Sequence, residues 1–164
     1  ATKDKVWSLI YGEIFVNIES FTARTAEIKN VLLTGYKKLF ADINLLADTK
    51  DKNPFELAFL STMNKQNSVV IKGINAETLT MIRTRFILDW NKDYAAKFPS
   101  RLFDLEKELL EWGLFPVYNQ WIFGAVQNLA AYQVWTGVHS AEYESFNKFQ
   151  KDRIFKIPTG QYYH

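Results

Sequence analysis

Thirty consecutive residues of this chain, from Trp112 to Ala141, include no aspartate, glutamate, lysine or arginine. The run holds three tryptophans and five side-chain amides instead. An uncharged segment of this length belongs at the centre of a water-soluble domain, in a lipid bilayer, or against a partner. This choice constrains the fold more than any other feature of the sequence.

Polar residues within the run argue against a membrane span. Trp121 to Val138 is just long enough to cross a bilayer as a helix. However, Gln127, Asn128 and Gln133 lie inside it, and no lysine or arginine closely flanks either end. Polar side chains are costly in the hydrocarbon layer. We therefore predict no membrane insertion and a helix that packs within a soluble domain.

Composition narrows the class of protein. The chain has 164 residues, of which 48% are hydrophobic and 16% aromatic, which suits one globular domain. A net charge of +2 gives no reason to expect nucleic acid as a partner. The absence of cysteine excludes disulfides, thiolate nucleophiles and cysteine-ligated zinc. The compartment stays open, because an exported protein with its signal removed and a cytoplasmic one both fit.

Apolar residues recur every three or four positions along most of the chain, which is the period of an α-helix. Asn53, Asn75, Ser100 and Ser140 stand where N-capping residues belong. These signals predict an all-α fold of six or seven helices in one domain, residues 1–164, arranged as a bundle or as stacked helical hairpins. Val69–Ile71 is strand-like, and we expect an extended or irregular connection there. Residues 157–164 form a non-helical aromatic tail, since proline and glycine interrupt them.

The sequence does not satisfy a known helical-repeat motif. If Pro158 is set at the closing proline of a tetratricopeptide repeat, Phe146 and Arg153 fall where small residues belong. Stacking of the tetratricopeptide type stays open as an architecture, but the motif does not support it.

The neutral segment also carries the candidate functional site. We predict one helix from Pro116 to Gly137, on which Trp121, Asn128 and Trp135 fall within about 40° of one another. Flat aromatic faces with amides and no charge suit a partner helix or a neutral ligand. The predicted binding residues are Trp121, Asn128, Trp135, Gln120, Gln127 and Tyr132. The competing interpretation is a central core helix, with Leu129 among its buried residues and its amides bonded to neighbouring backbone.

Other clusters give weaker signals. His139 and Glu142 are three residues apart, but no HExxH or paired ExxH motif accompanies them, so we predict no metal and no cofactor. A leucine stripe in 102–110 predicts that the neighbouring acids, Glu106 among them, face solvent. Arg83 and Arg85 suggest RNA stacking only weakly, because no wider basic patch surrounds them.

These observations predict a non-enzymatic helical binding or protein-interaction module, whose partner is a protein or a neutral small ligand. The prediction that the chain is not an enzyme rests on missing motifs, because no GxSxG, phosphate-binding loop or catalytic cysteine is present. The alternative is a carboxylate-dependent hydrolase acting on a neutral substrate such as a glycan. Such an enzyme needs two carboxyl groups that the fold brings together, and it leaves no short motif.

Overall fold

The computed structural model describes residues 4–164, and this part of the chain is all-α, without a strand. The predicted fold class is confirmed, and seven of the helices have ten residues or more. The α-helices are α1 (Lys5–Ile18), α2 (Ala23–Leu39), α3 (Pro54–Asn64), α4 (Asn67–Val70), α5 (Ala76–Asp93), α6 (Arg101–Glu111), α7 (Phe115–Asn119), α8 (Ala125–Gln127), α9 (Leu129–Val138) and α10 (Ser140–Lys151). A π-helical turn, Gln120–Gly124, lies between α7 and α8.

Side-chain caps begin three of the helices at the positions that the sequence predicts. Asn53 Oδ1 accepts a hydrogen bond from the Glu56 amide at 2.9 Å, and Asn75 Oδ1 accepts one from Thr78 at 2.9 Å. Ser100 occupies the cap of α6. These bonds satisfy amides that have no partner within the helix. The predicted cap at Ser140 is wrong: the preceding residue holds the cap position, and Ser140 begins α10.

Helices α1 and α2 form a closely packed hairpin. A Cβ added at Gly12 would lie 2.9 Å from Leu32 Cδ2, and one added at Gly35 would lie 2.9 Å from Leu9 Cδ2. Each helix therefore uses a glycine to admit a leucine of the other. The helical conformation is interrupted between the two helices at residues 19–22, where Thr22 and Thr25 cap the start of α2.

Aromatic rings fill the core between α3, α5 and α6. Trp90 meets Phe103 at 4.9 Å and Phe55 at 5.3 Å between ring centroids. The tail closes this cluster, because the Tyr163 ring stacks on Phe55 at 4.6 Å. Asn53 Nδ2 donates a hydrogen bond to the Tyr163 carbonyl at 2.8 Å. Residues 157–164 thus lie against the domain without helical structure.

The segment that looks strand-like in the sequence is largely helical. Asn67–Val70 forms a short helix, so the expected extended connection there is wrong. The C-terminal end of this helix is stabilised by hydrogen bonds from the Ile71 and Gly73 amides to carbonyls one turn back.

Of the helices described in residues 4–164, none combines the length and the apolar character that crossing a membrane requires.

Candidate functional site

The neutral segment is not one helix. Helix α7 passes into the π-helical turn and then into α8, and the chain leaves helical geometry at Asn128, whose φ is −160° and ψ is 104°. Asn128 then caps α9, because its Oδ1 accepts a hydrogen bond from the Ala131 amide at 3.0 Å. Asparagine competes in this way for backbone amides, and a π turn changes the residue period of a helix. The predicted alignment of Trp121, Asn128 and Trp135 on one helix face is therefore wrong.

Trp121 lies in the core. Its side chain is 6% exposed and packs between Tyr118, at 5.9 Å, and Phe146, at 5.8 Å between centroids. Lys29 Nζ from α2 lies 3.6 Å from the centre of the Trp121 ring. The ring is thus enclosed by helices on both sides and by a lysine over one face.

The other five predicted site residues line one pocket. Its volume is about 230 Å³, and it lies between α9 and the start of α5. The predicted residues that line it are Gln120, Gln127, Asn128, Tyr132 and Trp135. The fold therefore brings these five together around the break at Asn128, whereas Trp121 does not line the pocket.

Contacts within this pocket hold several of its polar side chains in place. Gln127 Oε1 accepts a hydrogen bond from the Ala76 amide at 2.6 Å, which ties α8 to the first turn of α5. The Tyr132 hydroxyl donates to the Tyr143 hydroxyl at 3.1 Å. A Cβ added at Gly124 would lie 2.7 Å from the Tyr132 ring, so the glycine makes room for that ring. The Trp135 ring stacks on His139 at 4.1 Å.

Helix α9 exposes its apolar side chains to solvent. None of its ten residues, all within the described part of the chain, is buried. Leu129 is 58% exposed, Val134 68% and Val138 76%. The prediction that Leu129 packs in the core is wrong, because the break at Asn128 separates α9 from the helix that enters the core. An apolar helix without a charged residue and without a buried one lacks a covering surface.

A buried charge cluster, which the sequence did not reveal, joins four helices. Arg83 of α5 is 1% exposed and binds the carboxylates of Glu13, in α1, and Glu106, in α6, through the same nitrogen, Nη2. The Glu106 contact measures 2.6 Å. Arg83 Nη1 donates to Asn119 Oδ1 of α7 at 2.5 Å. The expectation that Glu106 faces solvent is wrong, and Arg83 is an internal ion-pair partner.

A chain of hydrogen bonds extends this cluster to the surface. The Tyr118 hydroxyl donates to Glu13 at 2.7 Å, and Asn17 Nδ2 donates to the Tyr118 oxygen at 2.7 Å. Arg153 Nη2, beyond α10, donates to Asn17 Oδ1 at 2.7 Å. The helix period could have indicated part of this cluster, because Glu13 is three residues from Ile10 on the apolar face of α1.

Burial changes the acidity of one carboxyl group in this cluster. Burial, and after it the neighbouring Glu13 side chain, raise the pKa of Glu106 well above its usual range. Glu106 therefore takes up a proton more readily than a free glutamate does. The space beside these groups has a volume of about 10 Å³, which holds about one water molecule and no sugar ring. This carboxyl pair stabilises the fold and offers no room for a substrate.

Within residues 4–164, no three histidine, aspartate or glutamate side chains lie close enough together to hold a metal ion. His139 Nδ1 instead lies 2.9 Å from the Trp135 carbonyl oxygen.

The position of Lys29 predicts a stability that depends on pH. Burial lowers the pKa of Lys29 to about 7, whereas a lysine in the unfolded chain has a pKa of about 10.4. Between these values the unfolded chain binds more protons, so the free energy of unfolding rises with pH. We expect this rise from about pH 7 to pH 10 in the natural chain, measured by urea unfolding, and its loss in Lys29→Met.

Lys37→Met, which removes an exposed lysine of the same helix, is the control and should keep the rise. Equal slopes for Lys29→Met and the natural chain would contradict the prediction. They would show that the attraction of the Trp121 ring for the ammonium outweighs the cost of burial.

Comparisons of this chain with protein-family models, with curated protein sequences and with solved structures found no match.

Proposed function

We propose that this chain is a non-enzymatic protein-interaction module that docks a partner protein on α9 and on the pocket beside it. The observation that carries the proposal is the exposure of α9. Three of its apolar residues, Leu129, Val134 and Val138, each expose more than half of their surface. Large exposed apolar surfaces of this kind mark interaction sites.

The shape of α9 favours a helix as the docking element of the partner. Ala130, Val134 and Val138 recur every four residues and form a narrow face of small side chains. Small side chains let a second helix approach closely, as in other packed helix pairs. The face carries no charge, so the matching surface of the partner is apolar.

The pocket beside α9 fits one inserted side chain of that partner. Its volume of about 230 Å³ is below the range of about 300–1,000 Å³ that is typical of small-molecule sites. Gln127 and Asn128 on its rim are exposed and supply amide donors and acceptors. The proposed contact residues are therefore Gln120, Gln127, Asn128, Tyr132 and Trp135, with Trp121 supporting them from behind.

A charge placed on α9 should abolish the docking without unfolding the domain. Val134→Glu and Val138→Glu change exposed positions, so we expect the free energy of unfolding to change by about 0.5 kcal/mol or less. Burying a carboxylate in an apolar interface is costly, so binding should fall at least about tenfold. Ile71→Glu changes an exposed apolar residue at the end of α4 and is the matched control.

The partner is to be identified with a photoreactive amino acid at position 134 in the native host and then purified. Fluorescence anisotropy with that purified protein measures the dissociation constants of the three variants. Unchanged binding by both α9 variants, or crosslinking at position 134 no stronger than at position 71, would refute the docking surface.

The hydrolase alternative finds its carboxyl groups in a different place. A cleft of about 730 Å³ between α6 and α10 is lined by Glu108, Glu142 and the exposed ring of Trp112. General acid catalysis needs one carboxyl group enclosed by apolar side chains. Glu108 is instead 43% exposed and pairs with Arg101 at 3.2 Å. The geometry of this cleft therefore supports the alternative less well than α9 supports protein docking.

A further inference from the structure

Most of the unpaired polar atoms buried in this protein belong to two residues that line one groove. Among residues 4–164, five buried side-chain nitrogen or oxygen atoms have no hydrogen-bond partner, and four of them belong to Gln150 and Arg153. Both residues line a groove of about 620 Å³ between the end of α1 and the segment that follows α10. We call this the α10 groove, and its lining shares no residue with the α9 surface.

Gln150 presents a complete amide without a partner. Its side chain is 8% exposed, and neither Oε1 nor Nε2 makes a hydrogen bond within residues 4–164. A buried polar group without a partner lowers stability, so such groups are rare in native proteins. One donor beside one acceptor is the pattern that a peptide group complements.

The Arg153 side chain is fixed by its neighbours and forms no ion pair within the described residues. The Phe149 and Phe155 rings lie 5.1 Å and 5.5 Å from its Cζ, and Asn17 accepts its Nη2 at 2.7 Å. Its Nε and Nη1 have no partner, and none of the carboxylates in residues 4–164 lies within ion-pair distance. Burial lowers the pKa of Arg153. A carboxylate is the ligand that matches a guanidinium fixed in this way.

The groove lining complements an anion with apolar side chains. It contains Arg153 and Lys156 and no aspartate or glutamate among the described residues. Ile18, Phe21 and Ile154 line it as well, and they are 61%, 72% and 81% exposed. Cationic and exposed apolar side chains thus line the same groove, which suits a ligand that carries both a carboxylate and apolar groups.

The chain along the groove also has unpaired backbone. Residues 154–157 are not helical and make no backbone–backbone hydrogen bond within the described chain. Exposure alternates here, because Ile154 is exposed, Phe155 is buried and Lys156 is exposed. This alternation is typical of an extended segment, and such a segment can pair with an added peptide strand.

We propose that the α10 groove binds the carboxyl-terminal segment of a partner protein, an extended peptide with apolar side chains and a free terminal carboxylate. Arg153 binds the carboxylate, the Gln150 amide pairs with a peptide group, and the exposed apolar residues contact the last side chains. The volume suits a few residues of peptide. The Gln150 amide distinguishes this ligand from a fatty acid, which has no peptide group to offer.

The test selects peptides on the purified full chain from a library of hexapeptides with free carboxyl termini and random last four residues. We expect enrichment of peptides that end in an apolar residue. Amidation of the terminus, and the variant Arg153→Met, should each weaken the binding of an enriched peptide at least about tenfold. Lys151→Met removes an exposed neighbouring cation and should bind as the natural chain does.

Gln150→Leu separates binding from folding. The substitution removes two unpaired polar atoms from a buried site, so thermal unfolding should occur at the same or a higher temperature. Peptide binding should nevertheless weaken. Failure to enrich any peptide over Arg153→Met would overturn the proposal. Equal binding of amidated and free peptides, with selection of acidic side chains, would show that Arg153 does not bind a terminal carboxylate. Full competition by decanoate would show that the ligand is not a peptide.

Discussion

Arg83→Met should destabilise the protein by about 3–5 kcal/mol, the usual cost of removing one partner from a buried ion pair. The substitution keeps an unbranched apolar chain of similar length but leaves Glu13 and Glu106 buried without their counter-charge. It also leaves Asn119 Oδ1 without the donor that lies 2.5 Å away. A domain is stable by about 5–15 kcal/mol, so this loss is a large part of the total.

Urea unfolding at pH 7 measures this effect against two matched variants. Arg85→Met changes an exposed arginine two residues further along α5 and should shift the free energy of unfolding by about 0.5 kcal/mol or less. Glu106→Gln retains the shape of the carboxyl group and leaves the ion pair of Arg83 with Glu13 in place, so it should cost far less than Arg83→Met. A loss for Arg83→Met as small as that for Arg85→Met would show that the cluster contributes little to stability.

Trp121→Ala should cost about 3–5 kcal/mol, because the ring is buried between α7, α10 and α2 and its removal leaves a cavity. Trp112→Ala is the control with the same change of side chain. Trp112 is 64% exposed and contacts Phe149 at the edge, so its loss should cost much less. Thermal and urea unfolding of both variants give the comparison.

The result for Trp121 also bears on the α9 surface. If Trp121→Ala were as stable as the natural chain but failed to bind the docking partner, the ring would be a contact residue. We expect the opposite result. Trp121→Ala should lose stability, and any loss of binding should follow from unfolding, because the ring is buried in the core and does not line the pocket.

Local chemistry explains why much of the fold was predictable. The Asn53, Asn75 and Ser100 caps act within three residues of themselves, so the sequence alone specifies them. Apolar periodicity likewise depends on neighbouring turns of one helix. The break at Asn128 was harder to predict, because a capping asparagine and a helical asparagine look alike without the surrounding backbone. If Asn128 is taken as a helix cap, the sequence predicts that α9 is a helix separate from the one that enters the core.

Long-range contacts explain what the sequence did not reveal. Glu106 sits next to a leucine stripe and was assigned to solvent, yet an arginine from another helix draws it inward. The exposure of Leu129, Val134 and Val138 arises because no element of the described chain covers these side chains, which no local pattern records. Five of the residues predicted for the site nevertheless line one pocket, because they are close in sequence on both sides of the break.

The charge cluster has a consequence for the order in which this chain folds. Arg83 binds one carboxylate 70 residues earlier and another 23 residues later. A collapsing chain that enclosed α5 before α1 and α6 had both arrived would strand a lone guanidinium in an apolar interior. The α1–α2 hairpin and the aromatic rings of α3, α5 and α6 meet no such obstacle and can assemble early. We therefore expect closure around Arg83 to be a late event in folding, one that brings α1, α5, α6 and α7 together in a single step.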